Sequence, residues 1–267
     1  MGLLKGLFGK RSKEPPQQSI ALVMPLLPAG DVDWHAVFAH AANSSPDFPQ
    51  AAPQVEGTVA SVEIPGGTVA VSLMPTQVPS SDLAGPIAMA AHHWPGAESD
   101  IAQHRQHVVV VAGSQTADAI AVHLLASRAA AATLAVANGI GMYIGHAMLV
   151  RDAAGYIQDI SSASRANVPV PSWIGFNPVN DEGALSAYTT GLTVFGFREL
   201  EVRRPGIPFD EAFNTLMNIA SYQLETGRQL ADGDTIGTSE TERNKVTYAQ
   251  SAFIPDMQVA IIELQGA

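Results

Sequence analysis

The sequence predicts an α+β fold of two similar halves. Each runs strand–helix–strand–strand–helix–strand, the order of a ferredoxin-like (βαββαβ) unit. Three observations carry that expectation. Short runs of β-branched residues alternate with segments whose apolar residues recur at helical spacing. The order can be followed through the N-terminal half and, more loosely, again through the C-terminal half. Between them lies an alanine-rich stretch, TADAIAVHLLASRAAAATLAVAN, which reads as a helix of its own. The expected organisation is a flexible basic leader over 1–18, one half over 19–138 and a second over 139–267. This would be a pseudo-duplication without residue-level identity between the halves.

Taken in order, SIALVMPLL is the first strand. DVDWHAVFAHAAN is a helix with Asp31 as N-cap and Trp34, Val37, Phe38 and Ala41 on one face. GTVASVEIPGGTVAVSLMP is a hairpin around Pro65-Gly66-Gly67. PSSDLAGPIAMAAHHWP is a helix capped by Ser80 or Ser81, and HVVVVAGS a buried strand. Thr116 is placed to cap the alanine-rich helix, and Asn138-Gly139 to end it in left-handed backbone. GMYIGHAMLV then reads as one strand and RDAAGYIQDISSASRA as a short helix. VPSWIGFNPV and LSAYTTGLTVFGFRELEVR are strands around the turn NDEG. FDEAFNTLMNIASYQLETG has Phe209, Phe213, Leu216, Ala220 and Leu224 at helical spacing. Asp210 and Glu211 sit in its first turn, where the helix dipole favours them, and Gly227 ends it. MQVAIIEL is the last strand.

The totals narrow the function. With 267 residues, 46% of them apolar, the chain can build a substantial core. Its net charge of −11 argues against general nucleic-acid binding, because phosphate contacts need basic surface. It suits a soluble cytoplasmic protein, or one that meets a basic partner. Cysteine is absent, so disulfides, thiolate metal sites and cysteine nucleophiles are excluded. The charge is uneven: Lys5, Lys10, Arg11 and Lys13 face only Glu14 in the leader, a net of about +3 against roughly −14 for the remainder. Leu3, Leu4, Leu7 and Phe8 precede most of those basic residues, the reverse of a secretory signal. They could dock on a partner groove, or make weak contact with a membrane surface through residues 1–13. No segment offers about twenty uninterrupted apolar residues for a membrane span.

Two constellations could carry chemistry. His92, His93, His104 and His107 flank an acidic stretch with Glu98 and Asp100, which raises the alternative of a metal-dependent hydrolase. A metal site wants three or four converging ligands, and no HExxH spacing is present, so no metal or other cofactor is assigned. His35 and His40, five apart, fall on different helix faces. The loop LADGDTIGTSETERNKV is acidic and glycine-bearing. As a calcium loop it fails at its fifth and twelfth positions, Ile236 and Arg243. Its aspartates and glycines read as turn chemistry, and any function would be partner contact through Asp232, Asp234, Thr238, Ser239, Glu240, Glu242 and Arg243. Phosphate loops, dinucleotide fingerprints and nucleophile elbows are missing.

GPIAMAAHHWP, AYTTGLTVFGFRELEV and LADGDTIGTSETERNKV together resemble the bacterial "domain of unknown function 4261" family, from about residue 55 onward. DGDTIG, Asp232 to Gly237, carries the resemblance best. It implies a bacterial α+β protein with no established activity, and offers no catalytic residues to transfer. The expectation is a non-enzymatic interaction protein, of immunity or adaptor type. The metal-dependent hydrolase and a membrane-recruited peripheral protein are the alternatives.

Overall fold

The computed structural model describes residues 19–204, 208–237 and 243–264. It is mixed α+β with two sheets. The first has seven strands, all antiparallel: β1 (Ser19–Leu27), β2 (Gln54–Glu56), β3 (Val59–Ile64), β4 (Gly67–Met74), β5 (Gln106–Ser114), β6 (Gly141–Ile144) and β7 (Leu149–Asp152). They lie in the order β2-β3-β4-β5-β1-β6-β7.

Period-two alternation decides which side chains this sheet buries. Ala21, Val23 and Leu27 of β1, with Val108, Val110 and Ala112 of β5 and Val69 and Val71 of β4, point to one face. Helices α1 (Trp34–Ser44), α4 (Ala119–Val136) and α5 (Ala153–Ser161) belong to that layer. Helix α1 buries Trp34, Val37, Phe38 and Ala41, the face its spacing predicts. On the other face, α2 (Ser80–Ala90) and α3 (Ala97–Ile101) form a smaller core with Leu26 and Val150, using Leu83, Trp94 and Ile101.

The second sheet adds a short helix α6 (Val170–Trp173), strands β8 (Gly175–Asp181), β9 (Ala184–Thr190) and β10 (Leu200–Val202), helix α7 (Phe209–Thr226), and strands β11 (Thr235–Ile236), β12 (Asn244–Gln250) and β13 (Gln258–Glu263). Its order is β11-β12-β13-β10-β9-β8, and only β10 and β13 run parallel. Helix α7 buries Leu216, Ile219, Ala220 and Leu224, and Gly227 caps it at φ +69°. One buried cluster runs from Val23 of the first sheet to Ile262 of the second.

Several expectations need correction. A ferredoxin-like unit seats its first strand between its third and fourth. Here β5, fourth in that count, lies between β4 and β1, so the element order is present but the pairing is not interleaved. GMYIGHAMLV is two strands, β6 and β7, joined by a 3₁₀ turn over 145–147, and both extend the first sheet. The strand expected over 185–203 breaks at a 3₁₀ turn over 192–195, bracketed by Gly191 at φ +109° and Gly196 at φ +84°. The caps also shift. Asp33 rather than Asp31 accepts from the amide of Ala36, and Asp118 rather than Thr116 accepts from Ala121. Helix α2 follows Pro79 with no side-chain cap. In each capped case the acting aspartate sits in extended backbone one residue before the helix. Asn138 does end α4 left-handed, at φ +51°.

Helix α4 is long and apolar enough to cross a membrane by composition, yet 72% of that stretch is buried inside the protein. It is a core helix, and its alanines let α1, α5 and the sheet approach closely.

The β4–β5 pairing sets one sharp constraint. A Cβ on Gly67 would stand 1.7 Å from the carbonyl oxygen of Gly113. Gly67→Ala should therefore force the strands apart and cost at least about 2 kcal/mol. Urea unfolding checks this, and a change under about 0.5 kcal/mol would show that the strands separate freely.

Candidate functional site

The first sheet leaves part of one face open. Helices α2 and α3 cover its β6–β7 end, and among the described residues no helix covers the rest. Leu22 stands opposite Val111, which stands opposite Ala70; Val109 stands opposite Ser72, which stands opposite Val59. Ile20 is 55% exposed, Val59 41%, Met74 39% and Leu22 38%, an unusual grouping of large apolar side chains on one side of a sheet. Strands β1 to β5 contain no lysine or arginine, and their only carboxylates are Glu56 and Glu63. The face mixes these apolar side chains with Ser61, Thr68, Ser72 and His107, and has an acidic edge.

The histidines do not converge. His104 is buried: its Nε2 accepts from the amide of Val78 at 3.0 Å, so the proton sits on Nδ1, which donates to the carbonyl of Ile101. His107 Nδ1 bonds the carbonyl of Thr76 at 2.8 Å. His93 bonds the carbonyl of Val150 through Nε2 and His92 through Nδ1. Burial holds His93 below its ordinary pKa, against the raising effect of the Val150 bond. Three of these rings thus tie α2, α3 and the following loops to the sheet. Among the described residues no three His, Asp or Glu side chains gather as a metal site.

The acidic loop is tied down where it is described. Asp234 accepts from the amide of Ala231 at 2.8 Å, and Asp232 from the amide of Tyr248 at 2.8 Å. Gly233 takes φ +86° and its amide bonds the carbonyl of Val246. Both aspartates therefore act as turn residues that join the loop to β12. Arg243 immediately precedes β12. Thr238, Ser239, Glu240 and Glu242 lie outside the described residues, as do Leu3, Leu4, Leu7 and Phe8 of the leader.

Two buried polar centres were not singled out from sequence. Glu199 and Glu201 are almost fully buried. Glu199 accepts from the amides of Gly191 at 2.9 Å and Thr193 at 3.1 Å, and from the hydroxyl of Thr189 at 2.8 Å. It pins the 3₁₀ turn to β10. Glu201 pairs with Arg203 and accepts from Ser251 Oγ at 2.6 Å and the amide of Ala252 at 3.2 Å. Two glutamates two apart among apolar residues in FRELEV, beside Arg198, were the available signal. The second centre is the histidine pair His123 and His146, with ring centroids 5.8 Å apart. His123 packs 4.4 Å from Phe195, and Trp173 stacks on Phe195 at 5.3 Å.

Each centre generates a prediction. Glu199→Ala strands the Gly191 and Thr193 amides and the Thr189 hydroxyl, so it should destabilise by about 2–4 kcal/mol, and Glu199→Gln by less. Denaturant midpoints compare the two; equal stability of all three proteins would remove the carboxylate's assigned role. His123 is pushed down to about 4, chiefly by burial and further by His146, while its bond to the carbonyl of Ala119 opposes the shift. His146 is lowered by burial as well. Both fold neutral, whereas the unfolded chain binds protons below about 6.5. Their stabilisation is present above that value and lost as pH falls toward 4. His123 alone should account for on the order of 3 kcal/mol across that window. Unfolding at pH 7.5 and pH 5 should show the drop, and His123→Phe should flatten it.

Comparison with known proteins bears on the second sheet alone. Residues 188–263 match the family described as "Domain of unknown function (DUF4261)", a segment that spans β9 to β13 and includes DGDTIG. GPIAMAAHHWP lies outside the match, which begins well after residue 55. No curated protein and no solved structure matches the chain. The similarity to the family of domain of unknown function 4261 is thus confined to residues 188–263.

Proposed function

We propose that this is a bacterial, cytoplasmic, non-enzymatic binding protein of adaptor or immunity type, which holds a partner protein against the open face of its seven-stranded sheet. The observation that carries this reading is the exposure of Ile20, Leu22, Val59 and Met74 on one face of β1 to β5, strands without lysine or arginine. Apolar rows of this kind bury well against another protein. The acidic edge and the net charge of −11 select a partner with an apolar patch flanked by lysine and arginine. His93, His104 and His107 each bond backbone groups, and of that group only His92 and His93 touch, which favours binding over metal-dependent hydrolysis.

A photo-crosslinking residue placed at Leu22 of the full chain tests this, with Glu225 on the exposed side of α7 as control. A discrete adduct with one basic protein from position 22 and none from position 225 is expected. The purified partner should bind more weakly as salt rises, and Val111→Lys should weaken it at least about tenfold without lowering thermal stability. Equal adducts from both positions, no adduct, or an adduct with residues 1–18 of the same chain would overturn the proposal.

A further inference from the structure

Helices α1, α4 and α5 enclose a cavity of about 300 Å³ on the helix-covered side of the first sheet. Its wall includes Ser45, Asp47, Arg128, Ala132, Ile160 and Ser162. Arg128 projects from α4 and is only 9% exposed. A guanidinium carries five N–H donors. Here only Nη2 has protein partners, the carboxylate of Asp47 at 3.4 Å and the carbonyl of Ala163 at 3.3 Å, both long for charge-assisted bonds. Among the described residues Nε and Nη1 have no hydrogen-bond partner. Ser45, 5% exposed, adds a buried hydroxyl with no hydrogen-bond partner. A buried hydroxyl is rarely left in this state, whereas the unpartnered Arg128 nitrogens are not sealed from the cavity.

We infer that this cavity is a binding site for a small monocarboxylate, whose carboxylate seats on the free edge of the Arg128 guanidinium while its apolar body lies between Ala132 and Ile160. The Asp47–Arg128 pair is asymmetric, with side-chain exposures of 76% and 9%. Asp47 can turn to solvent at little cost, whereas Arg128 stays buried and needs an anion. The charge of the ligand follows from the same surroundings. One cation balances one negative charge. Helices α1 and α5 both end at the cavity, at Ser44 and Ser161, so their carbonyl ends oppose any excess negative charge. That selects a monocarboxylate over a phosphate dianion.

Benzoate, its neutral isostere benzamide and inorganic phosphate are the probes, each titrated into the isotopically labelled full chain. Benzoate should give saturable amide shifts at residues 44–47 and 160–164. Benzamide should bind at least about tenfold more weakly. Arg128→Lys keeps the charge and loses the planar fork, so it too should weaken benzoate at least about tenfold at unchanged melting temperature. Should that variant fail to fold, the wild-type comparison of benzoate with benzamide decides the question. Shifts that do not saturate or do not map to these residues, equal binding of benzamide, tighter binding of phosphate, or full affinity in a folded Arg128→Lys would each overturn the assignment.

Discussion

The burial of helix α4 is the constraint on which the rest of the structure depends. Its small side chains, Ala126, Ala129, Ala130 and Ala132, are almost wholly inaccessible. They let the backbone of α4 lie close to β1, β5, α1 and α5 at once. Contacts at that range reward complementarity and punish added volume. Three polar residues fix how the helix is oriented. Ser127 accepts from the indole of Trp173 at 2.8 Å, and His123, one turn earlier on the same side, meets Phe195. Arg128 points instead toward α1 and α5. Helix α4 therefore joins the first sheet to the segment that leads into the second.

That arrangement explains where the candidate interaction face lies. The apolar side chains of β1 and β5 alternate, and α4 with α1 consumes one set of them. Among the described residues, the other set is covered where Trp94 and Leu83 close over Leu26 and Val150. What remains open is thus the reverse of the best-packed layer. A partner docked there would meet strands held rigid from behind, which lowers the ordering cost of binding. The same rigid layer keeps the Arg128 cavity in shape on its far side.

Much of this was legible in the sequence where the information is local. The buried face of α1, the hairpin around Gly66 and the span and end of α7 all follow from spacing and turn chemistry. Pairing between distant strands was not legible. The sequence pattern does not say that β6 and β7 join the first sheet, nor that β10 runs parallel to β13. The run of valines in β5 reads as a buried strand, yet Val109 and Val111 are only half-buried, because burial depends on what covers a face rather than on its composition. Glu199 and Glu201 read as surface charges until the amides and hydroxyls that meet them are seen. The grouping of His92, His93, His104 and His107 suggests ligands, and only the fold shows His93, His104 and His107 bonded to backbone groups.

Native-state hydrogen exchange, followed residue by residue, tests the claim that α4 binds both sheets into one cooperative core. The amides of Val122–Leu134 in α4 and of Ala187–Thr190 in β9 should exchange through the same opening, at the largest free energy in the molecule. Exchange of the β9 amides at a free energy well below that of α4 would contradict the account, because it would show the second sheet unfolding while the first remains intact.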